Sequence, residues 1–282
     1  MRGRRVLVCA VLAASLTGCV MVPERQHALV LQSDGTVAQE PMGCGNPEVP
    51  RPAAAGTLDP ALIRIASWNL HKEADPGWED DLGRLVAQSD LVLLQEAGVS
   101  PQLRSVVERK GFSWLLSSAF TYQGFEYGVL TATRVLPASA CILRANEPWL
   151  GIPKAALITY YRLARRDVTL AVVNLHAINF TLGTAAYRAQ LEAIVHALAS
   201  HGGPIVMGGD FNTWNDERLE VVRAVAEQLS LSPVRFDVDE RKRFMGRIFD
   251  RVYVRELEVL AASAWPVTSS DHNPVLVSLR VR

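Results

Sequence analysis

The chain has 282 residues, of which 49% are hydrophobic and 21% charged, enough for one large globular domain with a full core. Lys and Arg together number 29, and so do Asp and Glu, so the formal net charge is zero. That balance argues against wholesale electrostatic capture of nucleic acid, which calls for a strong basic excess, and leaves room only for a local basic patch.

The first residues read as an address. Arg2, Arg4 and Arg5 precede an apolar run over 6–16, which is shorter than the roughly 17–25 residues a membrane-spanning helix needs. Leu16-Thr17-Gly18-Cys19 follows, and it resembles the lipobox of bacterial lipoproteins. The resemblance implies a signal peptide over 1–18, a lipid on Cys19, and an exported chain anchored to a bacterial membrane facing the periplasm or the cell exterior. Val20, in place of Asp, leans towards the outer membrane. More than one acyl chain would anchor the chain stably. An ordinary secretory signal with an incidental Cys19 is the alternative. Export would remove Cys9 and consume Cys19. Cys44 and Cys141 remain, either as a disulfide, which an oxidising compartment permits, or as two separate thiols.

Residues 19–60 are rich in Pro and Ala and read as a semi-extended tether, with a small hairpin over 28–39 around Asp34 and Gly35. The texture changes from residue 61, and 61–282 form the expected domain. Short apolar runs at 63–68, 91–94, 126–132, 155–161, 168–175, 204–208, 249–254 and 275–281 predict strands. Helical patterns occupy 79–88, 100–110, 184–200 and 216–230. The mixture predicts an α/β fold. The runs 155–161 and 168–175 are too close for a helical crossover, so they should pair antiparallel within a mixed sheet.

The informative feature is a series of apolar strands that stop abruptly on polar residues. Ser67-Trp68-Asn69-Leu70 ends on Asn, Leu93-Leu94-Gln95-Glu96 on Glu, and Val173-Asn174-Leu175-His176 on His. Gly208-Gly209-Asp210-Phe211-Asn212 ends on Asp and Asn, and Ser270-Asp271-His272-Asn273-Pro274 precedes the last strand. A sheet gathers neighbouring strand ends, so these residues can form one cluster. Carboxylates and amide oxygens suit a hard divalent cation such as Mg²⁺, which keeps several waters. Imidazoles supply acid, base or charge stabilisation near neutral pH. No phosphate loop of the P-loop type is present, and few Cys with separated His argue against structural zinc.

These five segments, in this order, resemble the endonuclease/exonuclease/phosphatase superfamily, which includes DNase I, abasic-site endonucleases, neutral sphingomyelinases and inositol polyphosphate 5-phosphatases. The chain looks nearest to a bacterial branch carrying a lipoprotein-type leader. The resemblance runs from Trp68 to Pro274 and implies a DNase I-like four-layered sandwich, two mixed sheets face to face with helices outside. It implies metal ligation by Asn69, Glu96 and Asp271, with Mg²⁺ or Mn²⁺ as the ion. Asp210 and Asn212 resemble the pair that orients the attacking water. His272 and His176 resemble the histidines that meet the phosphate, and Asp250 resembles the acid that orients His272. Lys72, Glu126 and Arg247 are weaker candidates near the phosphate, Glu126 as a partner for His176. Trp149, Trp214 and Trp265 could stack bases or meet lipid. Thr131-Ala132-Thr133-Arg134, Val173-Asn174-Leu175-His176-Ala177 and Asp250-Arg251 depart from the common family pattern. They bear on subfamily and therefore on substrate.

The expected function is metal-dependent hydrolysis of phosphodiesters on the envelope, of nuclease type. The alternatives are a phospholipid or sugar-phosphate phosphodiesterase or phosphatase, and a non-catalytic binding module on the same fold. The expected partners are a phosphodiester substrate and, through the lipid, a membrane.

Overall fold

The structure is a computed structural model and describes residues 7–8, 20–32, 34–44 and 56–282. Cys9, the motif ending on Cys19, and Pro47, Pro50 and Pro52 lie outside the described residues. In chain order, the helices of eight or more residues and the strands of four or more are β1 (Ala28–Leu31), β2 (Val37–Glu40), β3 (Ile63–Asn69), α1 (Trp78–Gln88), β4 (Leu91–Gly98), α2 (Pro101–Glu108), β5 (Ser113–Tyr122), β6 (Phe125–Thr133), β7 (Ser139–Asn146), β8 (Pro153–Arg162), β9 (Thr169–His176), α3 (Ala185–Leu198), β10 (Ile205–Asp210), α4 (Asp216–Gln228), β11 (Asp250–Arg255), β12 (Leu257–Ala264) and β13 (Val275–Val281). One sheet runs β5-β6-β4-β3-β13-β12, and the other β11-β10-β9-β8-β7. The pairs β3/β4 and β9/β10 are parallel. The remaining neighbours, β8 and β9 among them, are antiparallel.

Alternation along each strand explains the layers. Side chains two apart share a face. Ile63, Ile65, Leu91 and Leu93 of one sheet meet Leu170, Val172, Val206 and Val252 of the other in a single core between the sheets. The intervening Ala66, Trp68, Val92 and Leu94 turn outward onto Leu82 and Leu85 of α1 and Leu103 of α2. On the far side Val173, Leu175 and Met207 meet Leu191 and Ile194 of α3 and Val222 of α4. The result is the expected four-layered sandwich, helix on sheet on sheet on helix. Local signals set the helix starts. Ser100 accepts a hydrogen bond from the Leu103 amide at 3.0 Å, and Asn215 accepts one from the Arg218 amide at 2.9 Å.

One polar residue crosses the inner core. Asn174 donates to the carbonyls of Leu94 (3.2 Å) and Leu130 (3.0 Å) and accepts from Gln95 at 2.7 Å. It thereby stitches the two sheets just below the rim where the polar strand ends collect.

The four expected helices and eight expected strands all form, with ends displaced by a few residues. Three further strands appear: β5, β7 and β12. The Ala-rich β12 sequence carries no strand alternation of its own, and its pairing with β13 decides its state. Within the segment read as a tether, β1 and β2 form the hairpin expected around Gly35, and β1 pairs with the edge of β5. Ala28 and Val30 are buried there against Leu115 and Val129, so this part of the segment belongs to the sheet. A disulfide joins Cys44 to Cys141 on β7.

Candidate active site

The inner-facing rows of the sandwich all become polar at the same rim. On β3 the row is Ile63, Ile65, Ser67, Asn69. On β4 it is Leu91, Leu93, Gln95. On β9 it is Leu170, Val172, Asn174, His176, and on β10 Val206, Gly208, Asp210. Register then levels the ends. His176 sits opposite Asp210, Asp210 opposite Asp250, and Asn69 opposite Gln95. Gly209 permits this alignment, because it holds φ +141° and a Cβ there would stand 2.0 Å from the Leu175 carbonyl oxygen.

Glu96 escapes the alternation. The β4/β6 register shifts between Leu94 and Ala97, and Glu96 adopts a left-handed φ of 51°. A bulge of this kind re-aims a side chain, here onto the rim. His71, Lys72 and Glu73 follow β3 with φ of 48°, 57° and 61°, and Asn212 follows β10 with φ 48°. Five of the ten non-glycine residues with left-handed φ among the described residues thus lie around the polar cluster.

Asp210 is the hub. Its Oδ2 accepts a hydrogen bond from Asn69 Nδ2 at 3.1 Å, and its Oδ1 accepts one from the Asn212 amide at 2.9 Å. His176 Nε2 and His272 Nε2 lie 3.5 and 3.8 Å from Oδ2. On the far side of its ring, His272 donates from Nδ1 to Asp250 at 2.8 Å. The loop bearing His272 is fixed to β3: Ser270 Oγ donates to the Asn69 carbonyl at 2.7 Å, and Trp68 Nε1 donates to the His272 carbonyl at 3.0 Å.

A second group surrounds Glu96. Lys72 donates to one carboxylate oxygen, and Lys154 stands 3.8 Å from the other. Lys154 also donates to His176 Nε2 at 2.9 Å. Asp271 lies more exposed, its carboxylate 4.0 Å from His71 Nε2.

The environment sorts these groups by charge. Burial works against the ionised form of Glu96, but Lys72, Lys154 and His176 outweigh it and hold the carboxyl well below the usual range. Burial, with Lys154 beside it, pushes His176 down to about 3, against the pull of Asp210 and Glu96. Burial would lower His272 too, yet Asp250 overrides it and, with Asp210 and Asp271, raises it to about 10. At neutral pH the site therefore holds one neutral and one protonated imidazole. Its mouth is a pocket of about 350 Å³ lined in part by His71, Lys72, Glu96, Lys154, His176 and Asp271.

The donor chemistry fits a hydrated hard dication. Glu96 is ionised, Asn69 and Asp271 add oxygen donors, and ammonium groups already sit where a cation would meet Glu96. Among the described residues, no three His, Cys, Asp or Glu side chains form a tight cage. The fit is to a loosely held ion on one main carboxylate.

Asn69, Lys72, Glu96, His176, Asp210, Asn212, Asp250, Asp271 and His272 thus come together. Glu126 does not reach His176: its carboxylate takes a 2.6 Å bond with His27 Nε2 of the segment before β1. Arg247 is engaged by Asp216 at the start of α4 and makes no contact with the cluster. Lys154 and Arg218 escaped the sequence reading. Lys154 is the second residue of β8 and belongs to no motif; the antiparallel pairing of β8 with β9, which ends at Ala156 opposite Leu175, leaves it beside His176. Arg218 lies on α4, fully buried, and donates to the carbonyls of Ile178, Asn179 and Asn212 between the rings of Tyr187 and Trp214. No sequence signal marks it.

Comparison with known proteins agrees with this fold. A relative from Vibrio parahaemolyticus, a UPF0294 protein, is 34% identical over 275 residues, covering 96% of this chain and 95% of its own. An endonuclease/exonuclease/phosphatase from Bacteroides vulgatus superposes with a TM-score of 0.62 at 17% identity, covering 79% of this chain and all of its own. The human Nocturnin catalytic domain, solved with a bound sulfate anion, gives 0.61 at 18% identity, covering 80% and 97%. The model of the endonuclease/exonuclease/phosphatase family matches residues 66–272, and the chain belongs to that family.

Proposed function

We propose that the chain is a divalent-metal-assisted phosphodiester hydrolase, acting by in-line attack of water on phosphorus. The observation that carries the reading is the hub at Asp210, a buried carboxylate ringed by Asn69, His176 and His272 within 3.8 Å and level with the Asp250 that charges His272. Asp210, held by Asn69 and the Asn212 amide, orients the attacking water and draws its proton. His272, kept protonated by Asp250, donates from Nε2 to a phosphate oxygen as negative charge grows there. Lys154, tied to His176, and Lys72 meet the other oxygens. Mg²⁺ or Mn²⁺ would be held by Glu96, Asn69 and Asp271 and would neutralise charge on the phosphate and the leaving oxygen. The catalysis is positioning plus electrostatics.

A nuclease is the substrate reading favoured by the family resemblance, while the zero net charge speaks against a long nucleic-acid groove. The lining of the rim beside the site favours the other one, a phospholipid headgroup, because it is aromatic and uncharged. The test is hydrolysis of bis-p-nitrophenyl phosphate with Mg²⁺, Mn²⁺ or EDTA, beside Asp210→Asn. Metal-dependent turnover that falls by about 10²–10³ in the variant supports the reading. Equal rates in the two proteins would refute the role of Asp210, and no turnover with either metal on this substrate, DNA and phospholipid alike would return the chain to the class of binding modules.

A further inference from the structure

The rim beside the site exposes a crest of hydrocarbon. Trp149, Phe180, Leu182, Trp214, Phe244 and Phe249 line an open depression whose wall includes no charged side chain. Trp149 is 60% exposed, Leu182 78%, Phe244 62% and the adjacent Met245 85%. These residues come from loops after β7, β9 and β10 and before β11, so four separate connections converge on one apolar surface. Contiguous patches of this kind mark interaction or membrane sites.

The composition selects among occupants. A single nucleic-acid strand stacks on aromatic rings but also needs cations along its backbone. Arg247 and Arg243, next to the crest in sequence, are committed to Asp216 and Asp239. Leu182 and Met245 have no ring on which a base could stack. Aromatic and aliphatic side chains without charge suit the boundary between headgroups and acyl chains.

A second observation lies on the opposite side of the site. Met21 pairs with Thr121 at the end of β5, and Val20 lines a cleft together with His71 and Lys72. His71 and Lys72 also line the active-site pocket, and Phe180 belongs to both that pocket and the crest. The phenyl ring of Phe249 stands 6.5 Å from the His272 ring. The site therefore lies between Val20 and the crest along one continuous rim. Cys19, the expected lipid carrier, directly precedes Val20 in the sequence.

We infer that this rim is a membrane-docking face: the crest inserts into the phospholipid surface to which Cys19 is anchored, holding the active-site pocket over the headgroups. The inference rests on lipidation at Cys19 and not on the hydrolytic reading, and its readout is independent of turnover.

The test uses the full chain, purified from membranes in detergent and reconstituted into vesicles of phosphatidylethanolamine and phosphatidylglycerol with brominated acyl chains. Bromine quenches only tryptophans at acyl depth, and Trp68, Trp78 and Trp114 are buried in the core. Quenching of the wild type is expected, with most of it lost when both crest tryptophans are replaced, Trp149→Phe with Trp214→Phe. Leu182→Asp with Phe244→Asp should abolish it and shift the emission in unbrominated vesicles to the red, while the circular dichroism of the folded chain stays unchanged. Equal quenching of the wild type and the variant lacking both Trp149 and Trp214 overturns the inference, and so does absence of quenching with the chain in the vesicle pellet. A chain recovered in the supernatant overturns it as well, because an anchored, inserted rim must sediment with the lipid.

Discussion

Asp250 and His272 form the one carboxylate–imidazole pair of the cluster that is both short, at 2.8 Å, and largely shielded, the imidazole 13% and the carboxylate side chain 5% exposed. The pair lifts His272 to about 10, against an unfolded value near 6.5. A raised folded value means that the contribution to stability is fully present below about pH 6.5 and is lost as pH climbs towards 10. In EDTA-treated protein, the melting temperature of the wild type should therefore fall across that window. Asp250→Asn should melt lower at pH 6.5 and converge on the wild type near pH 10. Melting curves of the two proteins from pH 6 to 10 make the measurement, and parallel curves would refute the ion pair. The same variant should confine activity to lower pH, because the donor of the phosphate hydrogen bond then titrates nearer its ordinary range.

His176 runs the opposite way. Its folded value of about 3 lies below the unfolded one, so the unfolded chain takes up a proton first as pH drops below about 6.5. Stability from this group is present above pH 6.5 and is lost towards pH 3. Replacing Lys154 by Met removes one of the three causes, burial being the largest and Lys72 the third. The expected outcome is a higher His176 value by NMR titration and a shallower acid limb in Lys154→Met. An unchanged titration would separate Lys154 from the imidazole.

Lys72 makes a prediction that splits metal from substrate. Its ammonium neutralises Glu96 where a dication would bind, while its reach onto the rim suits a phosphate oxygen. In Lys72→Met the carboxylate loses a competing cation, so Mn²⁺ binding by calorimetry should tighten. KM for a phosphodiester should rise, because one positive group facing the anion has gone. A loss on both measurements would make Lys72 a support for Glu96 rather than a competitor for its charge.

The disulfide acts on the other edge of the sheet. Cys44 and Cys141 are 97 residues apart, and closing a loop of that length is worth about 4–5 kcal/mol in the chain-entropy account, although measured values centre on 2–4. The hairpin of β1 and β2, docked on β5, depends on that closure. Cys44→Ser should lower the melting temperature and expose the Ala28–Leu31 amides to hydrogen exchange, with kcat little changed. Uniform loss of protection through β9 and β10 would instead make the bond a support of the whole domain.

What the sequence revealed and what it hid follow from the same geometry. Asn69, His176 and Asp210 were legible because each terminates an apolar run on its inner-facing position, and such a stop is visible in one dimension; Asp250 opens β11 and was marked only by the family resemblance. Glu96 was legible as a strand end, although its direction depends on a bulge that alternation cannot show. Lys154 was invisible because its role comes only from the pairing of β8 with β9. Glu126 was misread as a partner of His176 for the converse reason: it follows a strand start, but β6 presents it to His27 of the hairpin segment. Glu126→Gln and Arg247→Ala should accordingly leave kcat unchanged. The strands β5, β7 and β12 lacked a local signal, and their pairing decides their state.

Arg218 is the most buried cation of the domain and the clearest case of a positioning residue that no motif announces. Its guanidinium donates to three carbonyls in the two loops that follow β9 and β10, the loops that carry His176 and Asn212 outward from the sheet. Tyr187 and Trp214 sandwich it at 4.6 and 4.5 Å. Arg218→Met keeps much of the volume but leaves those carbonyls without a donor, each at a cost of about 1–3 kcal/mol. Arg218→Lys keeps the charge but lacks the planar fork that spans several carbonyls, so it should restore little. The expected outcome is a melting temperature lowered in both variants and a kcat that falls while KM stays near the wild-type value, because the loops position catalytic groups that touch substrate rather than bind it themselves. Full kcat in a destabilised Arg218→Met would reduce the residue to a packing role. Loss of kcat, with Asn212 and Ala177 amides newly exchanging, would tie it to the geometry around Asp210.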